Sequence, residues 1–264
     1  MEPVYTPVLW TARSLFAFQG LKFNTAGQEN IPRTGGGVVA LNHFGYMDFA
    51  LSGRIYLDVD RIVRFMAKKE VFDNKVAGPL MRGMKHIPVD RSAGADAYRA
   101  AVDALKAGEL VGVFPEATIS RSFELKEFKT GAVRMAQEAG VPVLPTVMWG
   151  AHRMWTKDHP KRLGRTRLPI TLVVGPAIHV APTDDPVERT AELKAVMKQM
   201  LDKAKAEYEP LTGDDLVFLP KALGGTAPSL EEAEKFDADE RARRAERKAA
   251  KAAAKAAAKE NGSK

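Results

Sequence analysis

Short apolar runs alternate with amphipathic stretches along most of the chain. The runs are bounded by glycine, proline or polar residues, which is typical of buried strands, whereas the stretches between them have the period of a helix. Strands are predicted at 21–26, 37–41, 61–67, 85–89, 110–114, 141–149 and 169–174, and helices at 5–19, from about 46, at 95–107, 129–139 and 187–206. Because strands and helices alternate, we expect a single α/β domain built on a mostly parallel mixed sheet flanked by helices.

The two ends of the chain depart from this pattern. Residues 1–25 are predicted to hold an amphipathic helix rich in large apolar side chains, which either docks on the core or lies in a membrane interface. Residues 26–225 form the predicted α/β domain. Residues 226–264 are rich in Glu, Lys and Ala, with no large apolar residue after Phe236, so we expect a fraying helix or a disordered basic tail there.

The net charge of the chain resides in this tail. The whole chain has a formal charge of +7, and residues 241–264 alone carry nine basic and two acidic side chains. Residues 1–240 are therefore neutral overall. We interpret the tail as a solvated extension, with attraction to an anionic membrane surface or to another polyanion as the alternatives.

Composition excludes several classes of chemistry. The chain has no cysteine, which excludes disulfide frameworks, thiolate metal sites and a cysteine nucleophile. It has no Gly-x-Ser-x-Gly motif to supply a serine nucleophile. No apolar stretch approaches the roughly 18 residues of a spanning helix, and no cleavable signal is apparent. Four of the five histidines lack the spacing of metal ligands, so no metal site is expected; they are His86, His152, His159 and His179.

A histidine and an aspartate follow the second predicted strand. Asn42 and His43 come directly after it, and Asp48 lies in the first turn of the next predicted helix. An imidazole acts as a base near neutral pH, and a carboxylate fixes its tautomer and stabilises its protonated form. Because the chain offers neither a cysteine nor a serine motif as nucleophile, the pattern favours a base that deprotonates a hydroxyl group of the substrate.

Two further polar residues follow predicted strands. Arg91 comes after the strand at 85–89, and Glu116 comes after the strand at 110–114. In a parallel sheet the carboxyl ends of the strands meet at one edge, where ligand-binding residues gather. We therefore expect Arg91 and Glu116 at the same edge as His43.

Four blocks of sequence occur in a particular order and spacing. They are Asn42-His43 with Asp48, the segment from Gly83 to Arg91, the segment from Phe114 to Thr118, and the segment from Val141 to Val147. Together they resemble the glycerolipid acyltransferases of the lysophosphatidic acid acyltransferase family, over about residues 35–180. The resemblance implies acyl transfer from acyl-CoA or acyl carrier protein, as co-substrate and without a cofactor, to a hydroxyl of a glycerol phosphate.

The same resemblance implies roles for particular residues. It makes His43 the general base and Asp48 the residue that orients it. The residues implied to bind the phosphate or the glycerol of the acceptor are Arg91, Glu116, Thr118, Arg121 and Lys129, with Asn42, Lys68, Lys69 and Ala117 as further candidates.

The third block departs from the family pattern, which usually reads Phe-Pro-Glu-Gly-Thr followed by Arg-Ser. Here Ala117 stands in place of the glycine and Ile119 in place of the arginine. A methyl group is thus added where the backbone approaches a ligand or takes a positive φ. One phosphate-facing charge is lost, and Arg121 or Lys129 is expected to supply it.

The expected activity is the conversion of 1-acylglycerol 3-phosphate to phosphatidic acid in phospholipid biosynthesis. We expect a peripheral enzyme on the cytoplasmic face of the membrane, with no specific nucleic acid partner. Three alternatives stay open. The acceptor is instead glycerol 3-phosphate, including at its 2-position, or another lysolipid; the protein is an α/β hydrolase that releases free fatty acid; or it is a non-enzymatic protein that binds polyanions through its basic tail.

Overall fold

The structure is a computed structural model and describes residues 3–90 and 94–261. The helices are α1 (Tyr5–Gln19), α2 (Asp48–Leu57), α3 (Lys69–Phe72), α4 (Ala77–Gly83), α5 (Gly94–Lys106), α6 (Gly131–Ala139), α7 (Pro186–Ala206) and α8 (Leu230–Asn261). The strands are β1 (Lys22–Ala26), β2 (Gly37–Leu41), β3 (Val63–Lys68), β4 (Ile87–Val89), β5 (Leu110–Val113), β6 (Val143–Trp149) and β7 (Pro169–Val174). The chain divides into two compact units, Met1–Ser120 with Leu125–Pro210, and Arg121–Glu124 with Leu211–Lys264.

The first unit is built on a mixed sheet. Among the described residues this sheet has seven strands in the order β1-β7-β6-β2-β5-β3-β4. Strands β2 to β6 are all parallel to one another, whereas β7 is antiparallel to β6 and parallel to β1. The predicted α/β fold with a mostly parallel sheet is therefore confirmed, and the carboxyl ends of five parallel strands meet at one edge.

The centre of the sheet is apolar on both faces. Every residue of β2 and of β6 is buried, as expected for strands covered by helices on either side. By contrast, β7 alternates between buried and partly buried positions. The core residues include Leu41, Leu51 and Leu144. The strand that precedes His43 is thus enclosed by the core.

Helix α1 packs on one side and is exposed on the other. Phe16 belongs to the main core cluster, and Tyr5 packs in a smaller cluster with residues of α3 and α4. Trp10 and Phe18 nevertheless remain 66% exposed. The helix therefore docks on the core and also presents apolar side chains to solvent. No helix within the described ranges is both long and apolar enough to cross a membrane.

The predicted domain boundaries fall within elements of the structure. Strand β1 begins at Lys22, so the end of the predicted segment 1–25 belongs to the sheet. The long segment of the second unit begins at Leu211 and includes the predicted boundary at residue 226. Helix α8 begins with a capping box, in which the Ser229 hydroxyl and the Glu232 carboxylate each accept a hydrogen bond from the other residue's backbone N–H. The start of the predicted tail is therefore ordered and packed, and Asp237 in α8 is buried.

Candidate active site

His43 lies at the carboxyl end of β2 and packs against an aromatic ring. Its imidazole stacks on Phe114, with ring centroids 4.0 Å apart, and the side chain is about 20% exposed. The Nδ1 atom lies 3.0 Å from Oδ2 of Asp48. Because an ionised carboxylate only accepts hydrogen bonds, this contact places the proton on Nδ1 and leaves the lone pair on Nε2. The geometry suits a base that acts through Nε2.

Asp48 is the first residue of α2 and is almost fully buried. Besides the contact with His43, its Oδ2 atom accepts hydrogen bonds from the backbone N–H groups of Phe44 and Gly45, at 2.7 and 2.8 Å. Its negative charge lies at the N-terminus of a helix, where the helix dipole stabilises it. The backbone of the turn between β2 and α2 thus donates two hydrogen bonds to the same carboxylate that orients the imidazole.

The loop after β5 holds the backbone of His43 from both sides. The carboxylate of Glu116 accepts the His43 N–H at 2.8 Å, and the Ser120 N–H donates to the His43 carbonyl oxygen at 2.8 Å. The other oxygen of Glu116 accepts the backbone N–H of Lys126 at 3.1 Å. Glu116 therefore positions His43, and its predicted contact with the glycerol hydroxyls stays a prediction.

The burial of Glu116 also changes its acidity. Desolvation raises the pKa of this carboxyl group to about 8, with the nearby charge of Asp48 acting in the same direction, although the two backbone N–H groups oppose the shift. A carboxyl group that holds its proton in the folded state up to about pH 8 favours folding less as the pH rises above its unfolded-state value. Burial of the Glu116 carboxyl group thus costs stability at neutral pH.

Asn42 fixes the end of β2 to its neighbour. Its side-chain amide donates to the Met148 carbonyl oxygen at 3.0 Å, and its side-chain oxygen accepts the Met148 N–H at 2.7 Å. These bonds continue the pairing of β2 with β6 past the last strand residue. Asn42 is buried and contributes to the position of His43 through the backbone.

Ala117 adopts the backbone conformation in which the resemblance expects glycine. Its φ is +59°, and its N–H closes a turn by donating to the Phe114 carbonyl oxygen at 2.9 Å. An L-residue in the left-handed region is strained by about 1–2 kcal/mol relative to the right-handed one. The added methyl group is exposed, so strain of the backbone is the main consequence of this substitution.

Substituting Ala117→Gly is expected to raise the free energy of unfolding by up to about 1 kcal/mol, because the relief of strain exceeds the entropy that glycine gains in the unfolded chain. Urea unfolding measures the change. The control is Ala100→Gly at an exposed position of α5, which is expected to lower stability by about 1 kcal/mol. Equal destabilisation by the two substitutions would contradict the strain argument.

The guanidinium of Arg121 is paired with carboxylates of the second unit. It contacts Asp237 and lies 2.8 Å from Glu240, and both Arg121 and Asp237 are about 7% exposed. The charge of Arg121 is therefore already compensated by acids far along the sequence, and its binding of the acceptor's phosphate stays a prediction. Lys129 is exposed, and its backbone N–H donates a hydrogen bond to the Pro115 carbonyl oxygen.

Substituting Asp237→Ala is expected to lower the free energy of unfolding by about 3 kcal/mol, because a buried guanidinium loses one of its partners. The matched control is Asp239→Ala, which removes an exposed carboxylate from the same helix and is expected to change stability by less than about 0.5 kcal/mol. Chemical denaturation of both variants gives the comparison. Similar midpoints for Asp237→Ala and the wild type would show that this ion pair does not stabilise the fold.

The remaining predicted residues lie near the same edge of the sheet or outside the described residues. Lys68 ends β3, and the next residue, Lys69, forms an ion pair with Asp90 at 2.9 Å. Arg91 lies outside the described residues. Lys157 belongs to a stretch rich in basic residues, 151–167, which the sequence suggests as a loop for anionic lipid headgroups or for the phosphates of CoA. Its Nζ atom lies 3.2 Å from the Thr118 hydroxyl, and nothing local in the sequence indicates which of these basic residues reaches the loop after β5.

Comparison with known proteins finds similarity to acyltransferases. A sequence model described as Acyltransferase matches residues 22–149. The chain is 36% identical over 124 residues to a 1-acyl-sn-glycerol-3-phosphate acyltransferase of Bacillus subtilis, which is 47% of this chain and 60% of that protein. It is 27% identical over 207 residues to a protein of the same name from Pseudomonas aeruginosa, covering 77% of this chain and 75% of the other.

A solved structure has the same fold. It is the 1-acyl-sn-glycerophosphate (LPA) acyltransferase PlsC of Thermotoga maritima, with a TM-score of 0.59 and 22% identity, covering 80% of this chain and 86% of the other. The chain spans 60% of the Bacillus subtilis relative and 40% of a chloroplastic 1-acyl-sn-glycerol-3-phosphate acyltransferase from Arabidopsis thaliana. The match over residues 22–149 includes β2, β5 and the turns that carry His43, Asp48 and Glu116. Residues 22–149, which carry the candidate site, are thus similar to acyltransferases.

Proposed function

We propose that the protein transfers a fatty acyl chain from acyl-CoA or acyl carrier protein to the free hydroxyl of 1-acylglycerol 3-phosphate, giving phosphatidic acid. The observation that carries this proposal is the imidazole of His43, oriented by Asp48 through Nδ1 at the carboxyl edge of the sheet. The names of the relatives from Bacillus subtilis and Pseudomonas aeruginosa support this choice of acceptor.

The chemistry needs one proton relay and no covalent enzyme intermediate. Nε2 of His43 takes the proton of the acceptor hydroxyl as its oxygen attacks the thioester carbonyl carbon. The tetrahedral intermediate then collapses, the carbon–sulfur bond breaks, and the departing thiolate receives the proton from the imidazolium. Asp48 stabilises the imidazolium while it carries that proton. This route fits a chain without cysteine, in which the substrate itself provides the nucleophile.

The acceptor carries a negatively charged phosphate, so its binding requires positively charged side chains near His43. Arg91 follows β4, whose carboxyl end lies at the same edge as that of β2, because all the intervening strand pairs are parallel. A guanidinium binds a phosphate through two parallel hydrogen bonds, which an ammonium does not. We assign Arg91 to the phosphate as part of the proposal.

The acceptor and the product of this reaction are lipids, and α1 supplies a surface for them. Its exposed Trp10, Leu15 and Phe18 lie on a helix with a single arginine and no acidic residue. Large apolar and aromatic side chains on one side of a docked helix suit the boundary between headgroups and acyl chains. We assign α1 to contact with the membrane surface, which makes the enzyme peripheral.

An acceptor comparison tests this function. The purified full chain is mixed with oleoyl-CoA, or with oleoyl-acyl carrier protein, and with 1-acylglycerol 3-phosphate, 2-acylglycerol 3-phosphate, glycerol 3-phosphate or no acceptor. Release of the free thiol and the mass of the lipid product are measured together. We expect release that depends on 1-acylglycerol 3-phosphate and yields phosphatidic acid.

Each alternative gives a different result in the same experiment. Faster turnover with glycerol 3-phosphate than with 1-acylglycerol 3-phosphate would show that glycerol 3-phosphate is the acceptor. Release of the thiol and of free fatty acid in the absence of acceptor would indicate a hydrolase. Absence of acceptor-dependent release with both donors would overturn the proposal. A chain shortened by residues 241–264 is expected to retain its turnover, whereas a protein acting through its basic tail would lose its function.

A further inference from the structure

The loop that follows β5 lacks a cation that the resemblance leads one to expect. Ile119 stands at the position of the family arginine and is buried, with 4% of its surface exposed. Arg121, two residues on, is compensated by Asp237 and Glu240. Neither position therefore offers an uncompensated charge to an anionic substrate.

Another cation reaches this loop from a distant part of the sequence. Nζ of Lys157 donates to the Thr118 hydroxyl at 3.2 Å, in a contact between partly buried groups. Thr118 directly precedes Ile119, so the ammonium group lies beside the position from which the charge is missing. Both residues belong to the first compact unit.

The segment that carries Lys157 is held against the turn that follows His43. The Trp155 carbonyl oxygen accepts the Tyr46 N–H at 2.9 Å, and the Thr156 hydroxyl donates to the Phe44 carbonyl oxygen at 2.5 Å. Gly45 fits closely here, because a Cβ atom at its position would lie 2.9 Å from the Trp155 oxygen. The position of Lys157 is thus set by the same turn that holds Asp48.

Thr118 lies in the middle of the loop whose residues form hydrogen bonds with the backbone of His43. Glu116, two residues before it, accepts the His43 N–H, and Ser120, two residues after it, donates to the His43 carbonyl oxygen. Two residues of extended chain span at most about 7 Å, so the Thr118 backbone stays close to that of His43. In 1-acylglycerol 3-phosphate, neighbouring carbon atoms carry the free hydroxyl and the phosphate, which therefore bind near each other.

We propose that Lys157 binds the phosphate of the glycerol phosphate acceptor. It supplies the positive charge that the loop lacks because Ile119 stands in place of the family arginine. An ammonium group has N–H donors in several directions, so it can bond the Thr118 hydroxyl and a phosphate oxygen together. The inference rests on the proposed function, and it names an acceptor-binding residue outside the matched residues 22–149.

The test compares Lys157→Gln with Lys157→Arg in the full chain. Glutamine keeps an N–H donor for Thr118 but has no charge, whereas arginine keeps the charge. We expect Lys157→Gln to raise the KM for 1-acylglycerol 3-phosphate by about 10- to 100-fold, the value of one charge-assisted hydrogen bond. The KM for acyl-CoA is expected to stay within about twofold, and Lys157→Arg is expected to retain most of the affinity for the acceptor. Lys198→Gln removes an equal charge from exposed α7 and is expected to leave both constants unchanged.

The outcomes separate this inference from the proposed function. If the wild type shows no acceptor-dependent transfer, the function itself fails. If the wild type is active and Lys157→Gln has an unchanged acceptor KM, the bond to Thr118 is structural and the inference fails. An equal rise in the KM for acyl-CoA would assign Lys157 to the phosphates of the donor, which would also overturn it.

Discussion

Replacing His43 with glutamine is expected to lower the rate of acyl transfer by about 10³- to 10⁴-fold, which is the usual contribution of a general base. Glutamine fills a similar volume beside Phe114, and its amide nitrogen can donate to Asp48, but its neutral amide does not take up a proton near pH 7. The loss is expected in kcat more than in the KM for either substrate, because deprotonation of the hydroxyl belongs to the transition state. Steady-state release of CoA with saturating 1-acylglycerol 3-phosphate measures the effect.

The matched control is His179→Gln. His179 is exposed and has none of the contacts that surround His43, so its replacement is expected to leave turnover within about twofold of the wild type and stability within about 0.5 kcal/mol. The free energy of unfolding of His43→Gln is measured beside it, so that loss of activity is not confused with loss of fold. Turnover of His43→Gln within tenfold of the wild type, in a folded protein, would remove His43 from the mechanism.

The elements of the fold were predictable because their signals are local. The predicted bounds of helix 5–19 and of strands 37–41 and 169–174 coincide with α1, β2 and β7. A strand covered on both sides must be apolar along its whole length, and β2 shows this in its own five residues. The second unit was less predictable, because its start at Leu211 depends on packing that has no periodic signature in the sequence.

The contact between His43 and Asp48 was predictable for the same reason, since the two residues are five apart and follow one strand. The contacts that hold the surrounding side chains in place were not predictable, because they join distant parts of the chain. Asn42 bonds Met148 across 106 residues, and Thr118 meets Lys157 across 39. Arg121 contacts Asp237 across 116 residues, and this contact compensates its charge. The sequence does not tell which of the charged side chains are already compensated.

Glu116 lies after β5 as expected, and its side chain bonds to the protein backbone. Its position after β5 was expected, but its two oxygens face backbone N–H groups of His43 and Lys126. That orientation depends on the turn at Ala117, whose positive φ brings the chain back toward His43. A pattern of residue types does not specify such a turn, because alanine is an unusual choice for it. The loop after β5 therefore holds the backbone of His43 in place through Glu116 and Ser120.

Substituting Asp48→Asn is expected to lower kcat by about 10²- to 10⁴-fold while leaving a folded protein. The amide oxygen can still accept the backbone N–H groups of Phe44 and Gly45, so the turn after β2 is retained. The negative charge that stabilises the imidazolium during proton transfer is lost. An amide also offers a donor toward Nδ1, which favours the wrong tautomer and places the proton on Nε2, where the hydroxyl proton must go. The expected cost in stability is about 1–2 kcal/mol, because a charged acceptor of buried hydrogen bonds becomes neutral.

Asp185→Asn is the appropriate control for this change. Asp185 caps the N-terminus of α7, where its carboxylate accepts the Val187 N–H at 2.8 Å, and it is exposed. Asparagine caps helices as well as aspartate does, so both turnover and stability are expected to stay close to those of the wild type. Measuring kcat and urea unfolding for both variants separates the charge at the active site from the effect of an Asp-to-Asn change at a helix start. If Asp48→Asn kept full turnover, the imidazolium would need no carboxylate, and Asp48 would serve only to close the turn that carries His43.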